Sequence, residues 1–106
     1  MTPDEYVEAV LELVERIPPG RVMSYGAIAE FLADASGRCS PRQVGTIMAR
    51  HGAGVPWHRD VASGGRLPPG SEYQATELLH AEGTPLARSG RVIMAKASWW
   101  PDAPSA

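Results

Sequence analysis

The sequence predicts a mainly α-helical domain of the winged helix-turn-helix class. Three observations predict it. Apolar residues recur at helical spacing in four separate stretches. Serine or threonine stands where each of those stretches would begin, the position at which a side-chain oxygen satisfies free backbone N–H groups. Two short extended runs flank a Ser89-Gly90 turn near the C-terminus and read as a small β-hairpin, the wing. At 106 residues the chain suits one domain around a single core.

The elements follow in order. Thr2-Pro3-Asp4-Glu5 forms a capping box with proline at the first helical position. Val7, Val10, Leu11, Val14 and Ile17 then mark the inward face of a first helix, which Pro18-Pro19-Gly20 stops. Arg21-Val22-Met23 is a short extended link. Ser24 caps a second helix with Tyr25, Ile28, Ala29 and Leu32 on one face, and Asp34 to Cys39 reads as a turn-rich loop. Ser40-Pro41-Arg42-Gln43 is a second capping box, and Val44, Ile47 and Met48 give the third helix its buried stripe. The second and third helices fit a helix-turn-helix with a turn longer than the tightest type. Glycine and proline between His51 and Pro69 predict loop. Ser71-Glu72-Tyr73-Gln74 opens a fourth helix, with Ala75, Leu78 and Leu79 inward and Gly83 as its stop. Leu86-Ala87 and Val92-Ile93-Met94 are the arms of the hairpin. No interior boundary appears: residues 1–96 form the domain and 97–106 a C-terminal tail, in which Trp99 and Trp100 are candidates to pack back.

Composition narrows the function classes. No apolar run of roughly 18 residues is present, so no membrane span is predicted. The acidic N-terminus lacks the pattern of a signal peptide. Cys39 is alone and cannot form an internal disulfide, and it is scattered from the three histidines with no metal-ligand spacing. The expectation is a cytoplasmic monomer without metal or cofactor. The net charge of −2 is unevenly spread. The first nineteen residues hold five acids and one arginine, whereas residues 20–66 hold six arginines against Glu30, Asp34 and Asp60. Such a cluster serves either as an ordinary solvated surface or as contacts to a limited number of phosphates.

Five strips carry a more specific message. They are Gly20-Arg21-Val22-Met23-Ser24-Tyr25-Gly26, Arg42-Gln43-Val44-Gly45, Val55-Pro56-Trp57-His58-Arg59, Ser63-Gly64-Gly65-Arg66-Leu67 and Leu78-Leu79-His80-Ala81-Glu82-Gly83. In this order they resemble the DNA-binding domain of the O6-alkylguanine-DNA alkyltransferases over about Tyr6 to Ile93. The resemblance implies a protein without that enzyme's separate N-terminal domain, as in the alkyltransferase-like proteins. One substitution changes the chemistry. The family carries Pro-Cys-His-Arg at its active site, and its cysteine accepts the alkyl group; this chain has Trp57 there. A thiolate beside a histidine is a strong nucleophile because its pKa is depressed, and an indole offers no comparable lone pair. The pattern is that of the alkyltransferase-like proteins, which resemble the repair enzyme but bind damage without repairing it.

The resemblance implies roles for particular residues. Tyr25 would help rotate the target nucleotide, against the plainer reading of a tyrosine packed on the third helix. Arg42, in the first turn of the third helix, would fill the gap left by the extruded base, a planar cation suited to stacking; a phosphate contact is the alternative. Trp57 is either a core filler or a wall on which a flipped base stacks. Val55, Pro56 and Ser63 would complete the lesion pocket with Tyr25 and Trp57, and Ser24, Gln43, Gly45, Thr46 and Arg50 would join Tyr25 and Arg42 on the DNA. His58 and Glu82 match the enzyme's activating pair and, without a thiol, shape the pocket with Arg59. Asp60 departs from the family's usual valine and would pair with Arg59 or Arg66, or alter which adducts fit. The glycine-rich segment before Pro56 lacks an asparagine common in the family, a place His51 would take. Cys39 falls outside the reactive motif.

The implied function is a non-enzymatic sensor of O6-alkylguanine in double-stranded DNA, working by nucleotide flipping from the minor groove and flagging lesions for nucleotide excision repair proteins. The competing readings are a sequence-specific winged-helix regulator, a transferase using another acceptor residue, and a protein-interaction module with a relic DNA site.

Overall fold

The computed structural model describes residues 1–101. Its elements run α1 (Pro3–Arg16), β1 (Met23–Ser24), α2 (Tyr25–Ser36), α3 (Pro41–His51), two 3-10 turns (Gly52–Gly54 and Trp57–Arg59), β2 (Asp60–Val61), α4 (Glu72–Ala81) and the short α5 (Met94–Ala97).

The helix starts obey local hydrogen-bond chemistry. The Thr2 hydroxyl accepts from the Glu5 N–H at 3.1 Å, and Glu5 accepts from the Thr2 N–H at 2.7 Å, so the expected capping box is complete. Ser24 caps α2 through the Ala27 N–H at 3.0 Å. At α3 only the serine half of the box forms, from the Gln43 N–H to Ser40 Oγ at 3.2 Å. Ser71 makes no side-chain cap on α4, because its backbone (φ −128°, ψ 23°) lies outside the extended conformation that aims a hydroxyl at the first turn. Helix α2 runs three residues further than expected, to Ser36, where Gly37 in the left-handed conformation ends it.

Helices α1, α2 and α3 enclose the larger core, in which Val10, Val14, Ile17, Ile28, Ala29, Val44 and Ile47 are buried. Tyr6 and Leu13 are buried too, while Val7 and Leu11 stay half-buried, so the inward face of α1 is rotated from its expected centre. A second cluster of Val22, Val61, Leu67, Ala75, Leu79, Val92 and Ala97 lies under α4. Leu78, expected inward, is 41% exposed. Ala75 and Leu79 take the narrow apolar face of α4, and Leu78 sits about 100° round the helix from Leu79. Trp57 packs against both clusters and joins them.

The expected loop 51–69 is more ordered than its composition implied. It carries both 3-10 turns and β2, which pairs in parallel with β1 in the register Met23 to Asp60 and Ser24 to Val61. The hairpin is reduced to a single antiparallel bridge, Leu86 to Val92, around the Ser89-Gly90 turn. Residues 97–100, expected in the tail, are held to the domain. Ala97 is buried, the Trp99 N–H donates to Val22 O at 2.9 Å, and Trp100 meets Phe31 edge-on at 5.4 Å. Arg21 adds a bond to Ala97 O at 3.1 Å. The last five residues of the predicted tail lie outside the described residues.

Candidate nucleic-acid interface

The parallel strand pair sets the site. Tyr25 follows β1 directly, and the Trp57–Arg59 turn runs directly into β2, so two bonded dipeptides bring both aromatic residues to one face. Between them opens a cavity of about 360 Å3, lined by Tyr25, Gly45, Met48, Ala49, Gly52, Ala53, Trp57, Pro68, Pro69, Ser71 and Gln74. A second recess of about 550 Å3 adjoins it across Tyr25, Gly45, Ala49 and Pro69, and is lined further by Arg42, Thr46 and Ser63. The Trp57 indole is half-buried and forms a cavity wall, which excludes the reading of a sealed core tryptophan.

Helix α3 contributes by having little side chain. Gly45, Ala49 and Gly52 recur at i, i+4 and i+7 along the cavity. A Cβ on Gly52 would lie 3.0 Å from the Met48 methyl and 3.6 Å from the Trp57 Cβ, so a larger residue would crowd the indole. Arg42, Thr46 and Arg50 repeat every four residues on the exposed side of the same helix. Arg42 sits in its first turn, where a cation is mildly unfavourable with the helix dipole.

Behind the aromatic wall is a charged tie. The His58 Nε2–H donates to Glu82 Oε2 at 3.0 Å, Arg59 Nε donates to Glu82 Oε1 at 3.1 Å, and an Arg59 terminal nitrogen also pairs with Glu82. The other arm of Arg59 donates to Ile17 O at 2.8 Å. Partial burial works against the Glu82 charge, but the hydrogen bonds from Arg59 and His58 outweigh it and hold the carboxyl down at about 2. The tie links the end of α1, the Trp57–Arg59 turn and the end of α4, and the His58 ring stands edge-on to Trp57 at 6.0 Å.

Asp60 makes neither of the pairs expected for it. It is fully buried, and neither carboxylate oxygen has a protein partner among the described residues. Its backbone belongs to β2 and its side chain is buried, whereas Arg59 is committed to Glu82 and Ile17 O and Arg66 is exposed. Burial pushes its carboxyl well up. Burial also pushes the Tyr25 phenol up to about 12, with the Asp60 charge adding to the effect.

The structure thus gathers Tyr25 and Trp57 on the first cavity, and Tyr25, Arg42, Gly45, Thr46 and Ser63 on the second. His58, Arg59 and Glu82 form one cluster behind Trp57. Val55 and Pro56 line neither recess: Val55 packs on the three-helix core, and its N–H bonds to Gly52 O at 3.1 Å. Ser24 and Gln43 are half-buried and Arg50 is exposed, and all three lie outside both recesses. His51 is exposed at the end of α3. Sequence reasoning missed Met48, Ala49, Gly52, Ala53, Pro68, Pro69, Ser71 and Gln74. The run of small residues on α3 was the available signal for part of that set. Cys39 is exposed before α3 and lines neither cavity.

Comparison with known proteins shows the family and the fold. Residues 5–84 match the model of the 6-O-methylguanine DNA methyltransferase DNA-binding domain. A DNA base-flipping protein of Escherichia coli is 33% identical over 101 residues, covering 91% of this chain and 75% of that protein. One from Vibrio parahaemolyticus is 28% identical over 102 residues, covering 92% and 99%. Among solved structures, S. pombe Atl1 in complex with damaged DNA containing O6-carboxymethylguanine superposes with a TM-score of 0.80 at 28% identity, over 95% of this chain and 100% of that one. An S. pombe ATL complex with DNA gives 0.76 at 30% identity over the same shares. With three quarters of its length matched to that domain and its fold shared with Atl1, the chain belongs to the 6-O-methylguanine DNA methyltransferase DNA-binding domain family, as an alkyltransferase-like member.

Proposed function

We propose that this protein is a non-enzymatic sensor of O6-alkylguanine in double-stranded DNA. The observation that carries the reading is the open cavity between Tyr25 and Trp57 along the middle and end of α3, adjoined by the recess that the first turn of α3 borders. Its size lies within the range of small-molecule sites, and an aromatic wall holds a base by stacking worth roughly 1–3 kcal/mol. Arg42 borders the adjoining recess, on the helix whose small residues let a backbone come close. In this reading α3 enters the minor groove, the duplex bends, the lesion turns out against Trp57, and the Arg42 guanidinium fills the vacated stack. The likeness to base-flipping proteins and to Atl1 bound to damaged DNA supports it.

Alkyl transfer has no acceptor at this pocket. The sole cysteine, Cys39, lies outside both cavities, and the indole of Trp57 occupies the wall. With the alkyl group left on the base, the protein acts by persistence: the bound, distorted duplex is the signal that nucleotide excision repair reads.

A titration with matched O6-methylguanine and guanine duplexes at one salt concentration tests the reading. A preference of about tenfold or more for the lesion, equivalent to about 1.4 kcal/mol, is expected. Equal affinity for the two, with strong preference for one undamaged sequence, would instead identify a winged-helix regulator.

A further inference from the structure

The wing carries charge that the lesion site leaves unused. The chain holds 12 acidic residues, yet none falls in residues 62–71 or 83–101, which contain Arg66, Arg88, Arg91 and Lys96. Arg66, Arg88 and Arg91 are exposed, and none makes an ion pair among the described residues. Backbone bonds gather them. The Ala87 N–H donates to Arg91 O at 2.8 Å and the Gly90 N–H to Ala87 O at 2.9 Å, which closes the wing turn that holds Arg88 and Arg91. The Val92 N–H donates to Gly65 O at 2.9 Å and fastens the wing to the Ala62–Arg66 turn, itself closed by the Ala62 N–H on Arg66 O at 2.9 Å. The Arg91 guanidinium reaches that turn: a Cβ on Gly64 would stand 3.3 Å from one of its terminal nitrogens. Gly64 follows Ser63, and Ser63 lines the second recess together with Arg42. Positive charge therefore borders that recess from two elements, α3 and the wing.

We propose that the wing is a second phosphate-binding surface: Arg88 and Arg91, with Arg66 beside them, hold the DNA backbone flanking the everted nucleotide from the side of the recess that Ser63 forms. The inference rests on the lesion-sensor reading above. Like charges fastened together without a counter-charge repel one another in the free protein, and a row of phosphates removes that cost while releasing counterions. The guanidinium fork matches a phosphate's oxygens, and exposure leaves it free to do so. Continuity with the recess that Arg42 borders selects DNA as the occupant over an acidic protein.

The test measures dissociation constants for guanine and O6-methylguanine duplexes of one sequence between about 50 and about 200 mM salt. The proteins are the wild type, a double variant with Arg88→Ala and Arg91→Ala, the charge-keeping Arg91→Lys, and Arg16→Ala, which removes a positive charge from α1 instead. All of these positions are exposed, and circular dichroism checks that each variant is folded. Each phosphate contact contributes about 0.9 to the slope of log Kd against log salt, so the double variant's slope should fall by about two, and across that range the wild type should lose about tenfold more affinity than the double variant. The fall should be the same for both duplexes, because a phosphate contact carries no information on the base. Arg91→Lys and Arg16→Ala should keep the wild-type slope. An unchanged slope in the double variant would overturn the proposal, and is the result expected of a wing that meets an acidic protein. So would a comparable fall for Arg16→Ala, which would reduce the effect to net charge, or a lost lesion preference at unchanged slope, which would place Arg91 in the pocket. If the two duplexes bind the wild type alike while the slope shifts, the sensor reading fails and the wing contact stands; if they differ while the slope holds, only the present proposal fails. A protein that binds neither duplex at the lowest salt overturns both.

Discussion

At the scale of single residues, the proposed function turns on position 57. An indole there offers a stacking face and no thiolate to accept an alkyl group, and the structure sets Trp57 on a cavity. Arg42 complements it from the first turn of α3, exposed and unpaired with any carboxylate among the described residues. Arg42→Ala should therefore weaken binding to an O6-methylguanine duplex by about tenfold or more, since an unfilled gap in the stack costs a few kcal/mol; its melting temperature should match the wild type's. Asp60 is the residue whose type conflicts with its surroundings. Its carboxyl is raised by burial, so the folded state favours the protonated form, and stability present below the ordinary carboxylate pKa is lost as pH climbs through the raised value. Asp60→Asn keeps the shape and cannot ionise. Thermal melts should show the variant gaining on the wild type at pH 8, by several degrees, and gaining less at pH 4.

At the scale of elements, what the sequence made legible was what local chemistry specifies. Thr2, Ser24 and Ser40 announced three helices because a cap is a contact within four residues. The β1–β2 pair stayed hidden because two residues per strand carry no alternation, and the partners are 37 positions apart. The cavity's walls were half legible. Tyr25 and Trp57 stood out as aromatic residues in a recognisable strip, whereas Gly45, Ala49 and Gly52 matter through what they lack, and Val55, placed in the pocket by the resemblance, packs on the core instead. The turn after β2 shows how tight the packing is. Gly65 has φ +85°, and a Cβ there would lie 2.2 Å from Val92 O, a backbone atom. Gly65→Ala should destabilise the fold by about 3 kcal/mol or more in denaturant titration. The tie among Glu82, His58 and Arg59 joins three elements. Because the Glu82 carboxyl is held low, its stabilisation is present above the ordinary value of 4.5 and fades as pH falls towards about 2. Glu82→Gln should lower stability at neutral pH by about 1–3 kcal/mol, and its melting temperature should fall less steeply between pH 5 and about 2.

At the scale of the whole molecule, two cores share one hinge residue. The three-helix cluster carries Tyr25 and α3, and the smaller cluster beneath α4 carries Gln74; Trp57 belongs to both. The cavity is the seam between the cores, its outer walls fixed by the strand pair and the Glu82 tie. Charge is distributed to match, with arginines on the exposed side of α3 and glutamates along the exposed side of α1. The chain reaches a net −2 without spreading negative charge over the face that would meet phosphate. Trp99 and Trp100, named from the sequence as candidates to pack back from the tail, do pack against the larger core.

The central claim is that the Trp57 face holds a turned-out alkylguanine. Its most direct measurement is the ratio of dissociation constants for guanine and O6-methylguanine duplexes with the wild type and with Trp57→Leu, which keeps apolar bulk at the seam and removes the stacking face. The account predicts a ratio of about ten or more for the wild type that falls to nearly one in a folded Trp57→Leu protein. A folded variant that keeps the full preference would contradict it.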